Sequence, residues 1–191
     1  MTDTTEKPAA ATGGNGAPDW HPIAKAAERK AQGIVLPEAT YRGGCHCGAI
    51  SFDVTLSPPL EPLPGSSEPG HTVVECNCSV CCRFGYQIVY PTRDKVVFRN
   101  KGGRERCGKY RFNLKVQDHL FCKNCGASLM IDFQDRFKPQ FDGYGVSVRT
   151  LYGVDMDALH IQKVNGRELV QPAEDMSGQW YVESDDESEE K

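Results

Sequence analysis

The stretch Cys76-Asn77-Cys78-Ser79-Val80-Cys81 puts three thiols within six residues. A thiol pair precedes it, at Cys45 and Cys47, and another follows, at Cys122 and Cys125. A fold that gathers such closely spaced thiols must cross-link them or give them metal. The chain holds nine cysteines, an odd number. Its N-terminus, Met1-Thr2-Asp3-Thr4-Thr5-Glu6, has no basic region leading into an apolar one. No secretory signal is read there, and a cytoplasmic, reducing setting is expected. That setting and the glycine-flanked spacing favour metal knuckles over a disulfide framework.

A length of 191 residues suits one domain able to bury a real core. A net charge of -4 and a pI near 5.7 leave no footprint for a polyanion, so no nucleic-acid partner is expected. No apolar run is long enough to span a bilayer, so no membrane partner is expected either.

Residues 1–34 read as a flexible extension with one short helix, 35–172 as the folded domain, and 173–191 as a flexible acidic tail. Within the extension, the run from Asp19 to Lys30 reads as that helix. Asp19 would cap it, Pro22 would sit in its first turn and Gly33 would end it. Its apolar stripe of Ile23 and Ala27 is thin. From Ile50 to Leu56 apolar and polar residues alternate, which predicts a strand with one buried face. The proline-rich run at 57–71 predicts an exposed loop. Further short strands are predicted at Thr72–Glu75, Tyr86–Tyr90, Val96–Phe98, Tyr110–Phe112, His119–Phe121, Leu129–Phe133, Val146–Leu151 and Leu159–Ile161. Asp155 would cap one helical turn between the last two. Many short strands with Gly and Pro turns make the domain mainly β.

A structural zinc site takes four thiolates in a tetrahedron. Cys45-x-Cys47 and Cys122-x-x-Cys125 each supply one edge. Gly48 and Gly126 follow the second cysteines, where a knuckle turn calls for positive φ. Cys76, Cys78 and Cys81 offer three thiolates and leave a fourth position open, the arrangement of a catalytic zinc. Cys107 is the one remaining cysteine able to close that site. Cys82 adjoins Cys81 too closely to aim at the same ion. A purely structural role for the triad stays open on spacing alone. His46 reads as a turn residue, and the other histidines show no ligand spacing.

Gly44-Cys45-His46-Cys47-Gly48, Cys76-x-Cys78-x-x-Cys81 and Phe121-Cys122-x-x-Cys125-Gly126 together resemble the glutathione-dependent formaldehyde-activating enzyme family, which includes the centromere protein V relatives. The match covers about residues 40–170. The resemblance implies a β-tent fold of short antiparallel strands around two zinc ions. Cys45, Cys47, Cys122 and Cys125 would hold the structural zinc, and Cys76, Cys78 and Cys81 the catalytic one. The implied activity is that of a carbon–sulfur lyase or synthase joining glutathione and formaldehyde as S-hydroxymethylglutathione. Glutathione carries two carboxylates, and Arg83 and Arg149 are the candidate partners for them. Two other readings stand beside it: a non-enzymatic zinc module that binds a partner, and a same-fold enzyme with another small electrophile. The long loop, the extension and the tail leave the substrate open.

Overall fold

The alternation from Ile50 to Leu56 builds the strand it predicts. Strand β2 (Ser51–Leu56) buries Phe52, Val54 and Leu56 completely or nearly so and turns its other residues outward. It pairs with β1 (Ala39–Gly44) on one side and β5 (Val96–Phe98) on the other, all antiparallel. The computed structural model describes Asp19 and residues 21–169 except 63, 64, 66, 68, 113 and 114. The segments expected to be flexible at 1–17 and 173–191 lie outside the described residues.

Among the described residues the second sheet has seven strands, in the order β10-β3-β4-β9-β8-β7-β6. They are β3 (Val73–Cys76), β4 (Ile88–Val89), β6 (Cys107–Tyr110), β7 (Asp118–Cys122), β8 (Ser128–Asp132), β9 (Tyr144–Ser147) and β10 (Ile161–Val164). The mainly β class and the short antiparallel strands are as the sequence implies. One pairing departs from that pattern: β10 runs parallel to β3, with Val164 beside Cys76. The crossover needed for a parallel pair brings the C-terminal end of the domain to the triad.

Two apolar clusters sandwich the larger sheet. The first joins Phe52, Val54 and Leu56 of the small sheet to Val73, Val89, Met130 and Val146 of the large one. The second holds Tyr86, Ile88, Ile131, Phe133 and Phe141. Helix α1 (Pro22–Ala31) contributes Ile23 to it, and helix α2 (Ser79–Phe84) lays Phe84 and Cys81 against it.

Several local expectations are corrected. His21, not Asp19, caps α1: its Nδ1 accepts from the Ile23 N–H at 3.2 Å, with Pro22 in the first turn as expected. Gly33 does follow the helix in the left-handed region, at φ 67°. The 57–71 loop is not wholly exposed, because Leu60 is fully buried and the Tyr41 hydroxyl accepts from its N–H. The expected Tyr110–Phe112 strand is shifted to Cys107–Tyr110, where Gly108 lets the Phe121 ring cross over the backbone. The strand from Val146 ends at Ser147, and a 3-10 turn follows at Val148–Thr150. Asp155 caps its short turn as predicted, accepting from the Asp157 N–H at 3.0 Å.

Candidate metal centres

Two tight turns build the first cluster, and both close the same way. In the turn after β1, the Cys45 N–H bonds to the Ile50 carbonyl at 3.0 Å. In the turn after β7, the Cys122 N–H bonds to the Ala127 carbonyl at 2.9 Å. Gly48 and Gly126 take φ values of 75° and 74°, which a side chain would strain. A register shift between Leu120 and Phe121 re-aims the end of β7 just before Cys122.

The turns bring Cys45, Cys47, Cys122 and Cys125 together, with all four sulfurs within 4.8 Å of one another. Cys45 and Cys47 Sγ are 3.6 Å apart, and Cys47 and Cys122 Sγ 3.7 Å. These are far beyond a disulfide bond of about 2.0 Å. They match the edge of a tetrahedron with metal–sulfur bonds of about 2.3 Å, which is about 3.8 Å. Backbone and amide donors favour the thiolate form. The Ile50 N–H points at Cys45 Sγ at 3.2 Å. The Asn124 side chain, aided by the Ala49 N–H, draws the Cys47 thiol down to about 6. The Ala127 N–H lowers Cys125. Burial acts the other way on Cys45, pushing it up to about 11 against the Ile50 bond. The cluster can therefore hold a tetrahedral metal ion, and it pins the small sheet to the β7–β8 hairpin.

Cys76 ends β3, Cys78 caps α2 and Cys81 lies within α2. Their three sulfurs also lie within 4.8 Å of one another. Cys78 is buried, Cys76 and Cys81 are half-buried, and the Cys78 N–H points at Cys76 Sγ at 3.4 Å. Donation from Cys76 and Cys81 holds the Cys78 thiol low, while the other two are raised. The helix that carries Cys81 is not signalled by the spacing of the cysteines; Gly85, at φ 63°, ends it.

No fourth Cys, His, Asp or Glu joins the triad among the described residues. Cys107, the candidate fourth ligand, sits opposite Cys122 on β6, beside the other cluster. It is buried, donates to the Gly103 carbonyl at 3.7 Å, and burial pushes its thiol up to about 11. Cys82 is exposed and His46 projects into solvent, as expected for spare residues.

The triad opens into a cleft of about 540 Å³, lined among others by Cys76, Cys81, Glu75, Gln87, Arg149 and Lys163. Arg149 is thus on the triad cleft. Arg83 is not: it turns back to the Ser79 carbonyl at 2.9 Å and lines a separate cleft on the other side of α2.

Sequence reasoning missed the strap that closes over the triad. After β10, Asn165 Oδ1 accepts from Asn77 Nδ2 at 2.9 Å, and the Arg167 N–H donates to Asn77 Oδ1 at 3.1 Å. Between them, in helix α3 (Gly166–Leu169), Gly166 presses its bare backbone on Cys76: an added Cβ would lie 2.2 Å from the sulfur. Nothing local to residue 166 signals this, because the contact depends on the parallel β10–β3 pairing. Gly166→Ala is expected to lower the triad's affinity for metal by roughly tenfold or more, the usual scale for disturbing a ligand's support. Competition with a chromogenic chelator measures it, and the four-cysteine ion should be unaffected.

Fold and site together define a mainly β protein with two cysteine clusters that can hold metal ions. No protein-family model matches the chain. A solved structure, that of a protein from Rhodobacter sphaeroides, is similar over 61% of this chain and 92% of its own, at 27% identity and a TM-score of 0.44.

Proposed function

We propose that the protein is a zinc-dependent carbon–sulfur lyase or synthase acting on a glutathione–aldehyde adduct of the S-hydroxymethylglutathione type. The observation that carries this reading is the three-cysteine cluster, open on one side to a cleft with cationic walls. Thiolate-only donor sets favour zinc, and a three-ligand site is the arrangement in which zinc works rather than only holds. A zinc ion bound there would lower the pKa of an incoming thiol and polarise a carbonyl oxygen.

The cleft suits glutathione in size and charge. Its volume of about 540 Å³ lies in the usual range of small-molecule sites, roughly 300–1,000 Å³. Glutathione brings two carboxylates and an ammonium. Arg149 and Lys163 offer two cations, and Glu75 offers a carboxylate already held by Gln87 Nε2 at 2.8 Å. Lys163 pairs with Glu75 across the parallel β10–β3 register, so β10 supplies part of the site. In the synthetic direction the glutathione thiol gives up its proton to water, its sulfur bonds to the carbonyl carbon, the C=O π electrons move to oxygen, and that oxygen takes a proton back from water. Cleavage is the reverse. The residues of the cleft orient the tripeptide so that its sulfur faces the triad.

The test is exchange NMR of glutathione with ¹³C-formaldehyde, with and without the zinc-loaded protein. Acceleration by wild type that disappears in Cys78→Ser is expected. No acceleration by wild type would sink the lyase reading and favour the interaction module. Arg149→Met and Lys163→Met should each raise KM for glutathione about tenfold, the value of one charge-assisted hydrogen bond, with kcat little changed.

A further inference from the structure

Seven of the nine cysteines belong to the two clusters. Cys107 is buried and donates to the Gly103 carbonyl. That leaves Cys82, which is exposed and follows the triad residue Cys81 on α2. Its sulfur does not stand on plain surface. Cys82 lines the triad cleft together with Cys76, Cys81, Gln87, Arg149 and Lys163. A free thiol therefore shares the cleft with the open side of the triad, and the chemistry proposed above does not use it.

Three features bear on what reaches that thiol. The Cys82 N–H bonds the Cys78 carbonyl at 3.0 Å, so α2 fixes its place in the wall. Arg149 leans over the far end of the same helix: a Cβ added at Gly85 would lie 4.0 Å from Arg149 Cδ. Gln87 is only 9% exposed, and its Nε2 is committed to Glu75 Oε2 at 2.8 Å. A carboxylate only accepts, so this bond fixes which way the amide points. The remaining Oε1 has no hydrogen-bond partner among the described residues. A buried acceptor left unpaired costs about 1–3 kcal/mol and calls for a donor, which a peptide N–H supplies. The cleft thus sets a cation for a carboxylate and an acceptor for a peptide N–H beside a free thiol.

We propose that Cys82 is a site of S-thiolation by glutathione disulfide, and that the attached tripeptide closes the triad cleft. The proposal rests on the reading above only in that the cleft holds glutathione; it needs no lyase chemistry. One half of the disulfide places a carboxylate on Arg149, which brings its S–S bond to α2. The Cys82 thiol gives up its proton to water, and its sulfur attacks the nearer sulfur of the disulfide. A Cys82–glutathione S–S bond forms and the original S–S bond breaks. The other half leaves as a thiolate and takes a proton back from water. Cys82 is oxidised, the departing half is reduced, and excess glutathione reverses the exchange. The cleft then shuts when the disulfide form of the thiol it holds accumulates.

The test treats metal-loaded protein with glutathione disulfide or with neutral 2-hydroxyethyl disulfide, and follows labelling by intact mass and peptide mapping. Each rate is divided by that of free N-acetylcysteine with the same reagent. One glutathionyl group per chain is expected, on Cys82, with the metal content unchanged. The normalised rate should favour glutathione disulfide by about tenfold or more, the scale of one charge-assisted hydrogen bond. Arg149→Met should remove that preference. Labelled wild type should no longer bind free glutathione in calorimetry, whereas Cys82→Ser treated in the same way should bind it as before. Equal normalised rates, labelling of Cys76 or Cys81 with loss of metal, or glutathione binding that survives the label would overturn the proposal. Turnover in the exchange experiment without preference at Cys82 removes this proposal alone. Preference at Cys82 without turnover supports it and removes the lyase chemistry.

Discussion

Cys122→Ser is expected to leave the protein unfolded at room temperature, whereas Cys78→Ser stays folded and loses one metal ion. The difference lies in what each cluster ties together. Cys45 and Cys47 hang on the end of β1 in the small sheet, and Cys122 and Cys125 on the β7–β8 hairpin of the large one. These pairs are 75 residues apart in the chain at their Cys47–Cys122 contact. A metal ion there closes a long loop and seals the rim of the cluster formed by Phe52, Leu120 and Met130. Structural zinc–thiolate centres supply about 10–16 kcal/mol of apparent binding free energy, which becomes folding free energy. Whole domains have only about 5–15 kcal/mol to lose. The triad ties a strand end to the helix that follows it, within six residues, and the strap on Asn77 holds that loop independently. Zinc analysis and thermal melting on proteins purified without added metal make the comparison. About two ions per chain in wild type and about one in a folded Cys78→Ser are expected. A Cys78→Ser that unfolds would make the triad a structural site and remove the basis of the enzymatic reading.

What the sequence made legible follows range of interaction. The cysteine clusters could be read because thiol spacing of one or two residues is a local geometric statement. The alternation at Phe52, Val54 and Leu56 could be read for the same reason. The Leu129–Phe133 run was harder. Its predicted inward residues are buried, but so are Met130 and Asp132 between them, since the large sheet is covered on both faces there. Arg83 and Arg149 look alike in sequence, but Arg83 sits on α2 and turns back to Ser79 while Arg149 sits in the 3-10 turn after β9, and they line different clefts. Lys163 and Gly166 reach the triad by the parallel β10–β3 pairing, which no local pattern encodes. Cys107 was misplaced as a possible triad neighbour because its sheet partner, Cys122, was not knowable from spacing. His119 drew no attention as a histidine without ligand spacing, yet aromatic residues from two distant stretches, Phe84 and Tyr86 and then Tyr110 and Phe112, surround it.

Asp132→Asn is expected to cost roughly 3 kcal/mol, the lower end for removing one partner of a buried ion pair. Asp132 is fully buried and lies directly opposite Asp118, also fully buried, in the β7–β8 register. Like charges opposite one another in a sheet repel, so each needs its own counter-ions. Asp132 takes the Arg93 guanidinium at 2.9 Å, the Arg104 guanidinium and the Gln134 N–H at 3.1 Å. Asp118 takes Arg111, Lys109 at 3.6 Å and the Gln134 side chain at 3.1 Å. Burial alone would raise the Asp132 pKa, but the bonds from Arg93 and Arg104 outweigh it and hold the carboxyl below its ordinary value. The two arginines are each about a third exposed, at 36% and 35%, so water screens part of the gain. A cost of about 3 kcal/mol corresponds to a fall in Tm of roughly 6–12 °C for a chain of this size. The pH dependence has a fixed sign. A carboxyl depressed by folding stabilises the native state above its unfolded pKa of about 3.9, and that contribution is lost as pH falls through the folded value. The gap in Tm between wild type and Asp132→Asn should therefore be full at neutral pH and narrow as pH drops below about 4. Asp142→Asn is the control: its carboxylate bonds the same Arg93 at 2.8 Å but is 42% exposed, so a change within about 1 kcal/mol is expected. Equal losses for the two variants would mean that Arg93, rather than the buried carboxylate, sets the stability of this corner, and the charge argument for Asp132 would fail.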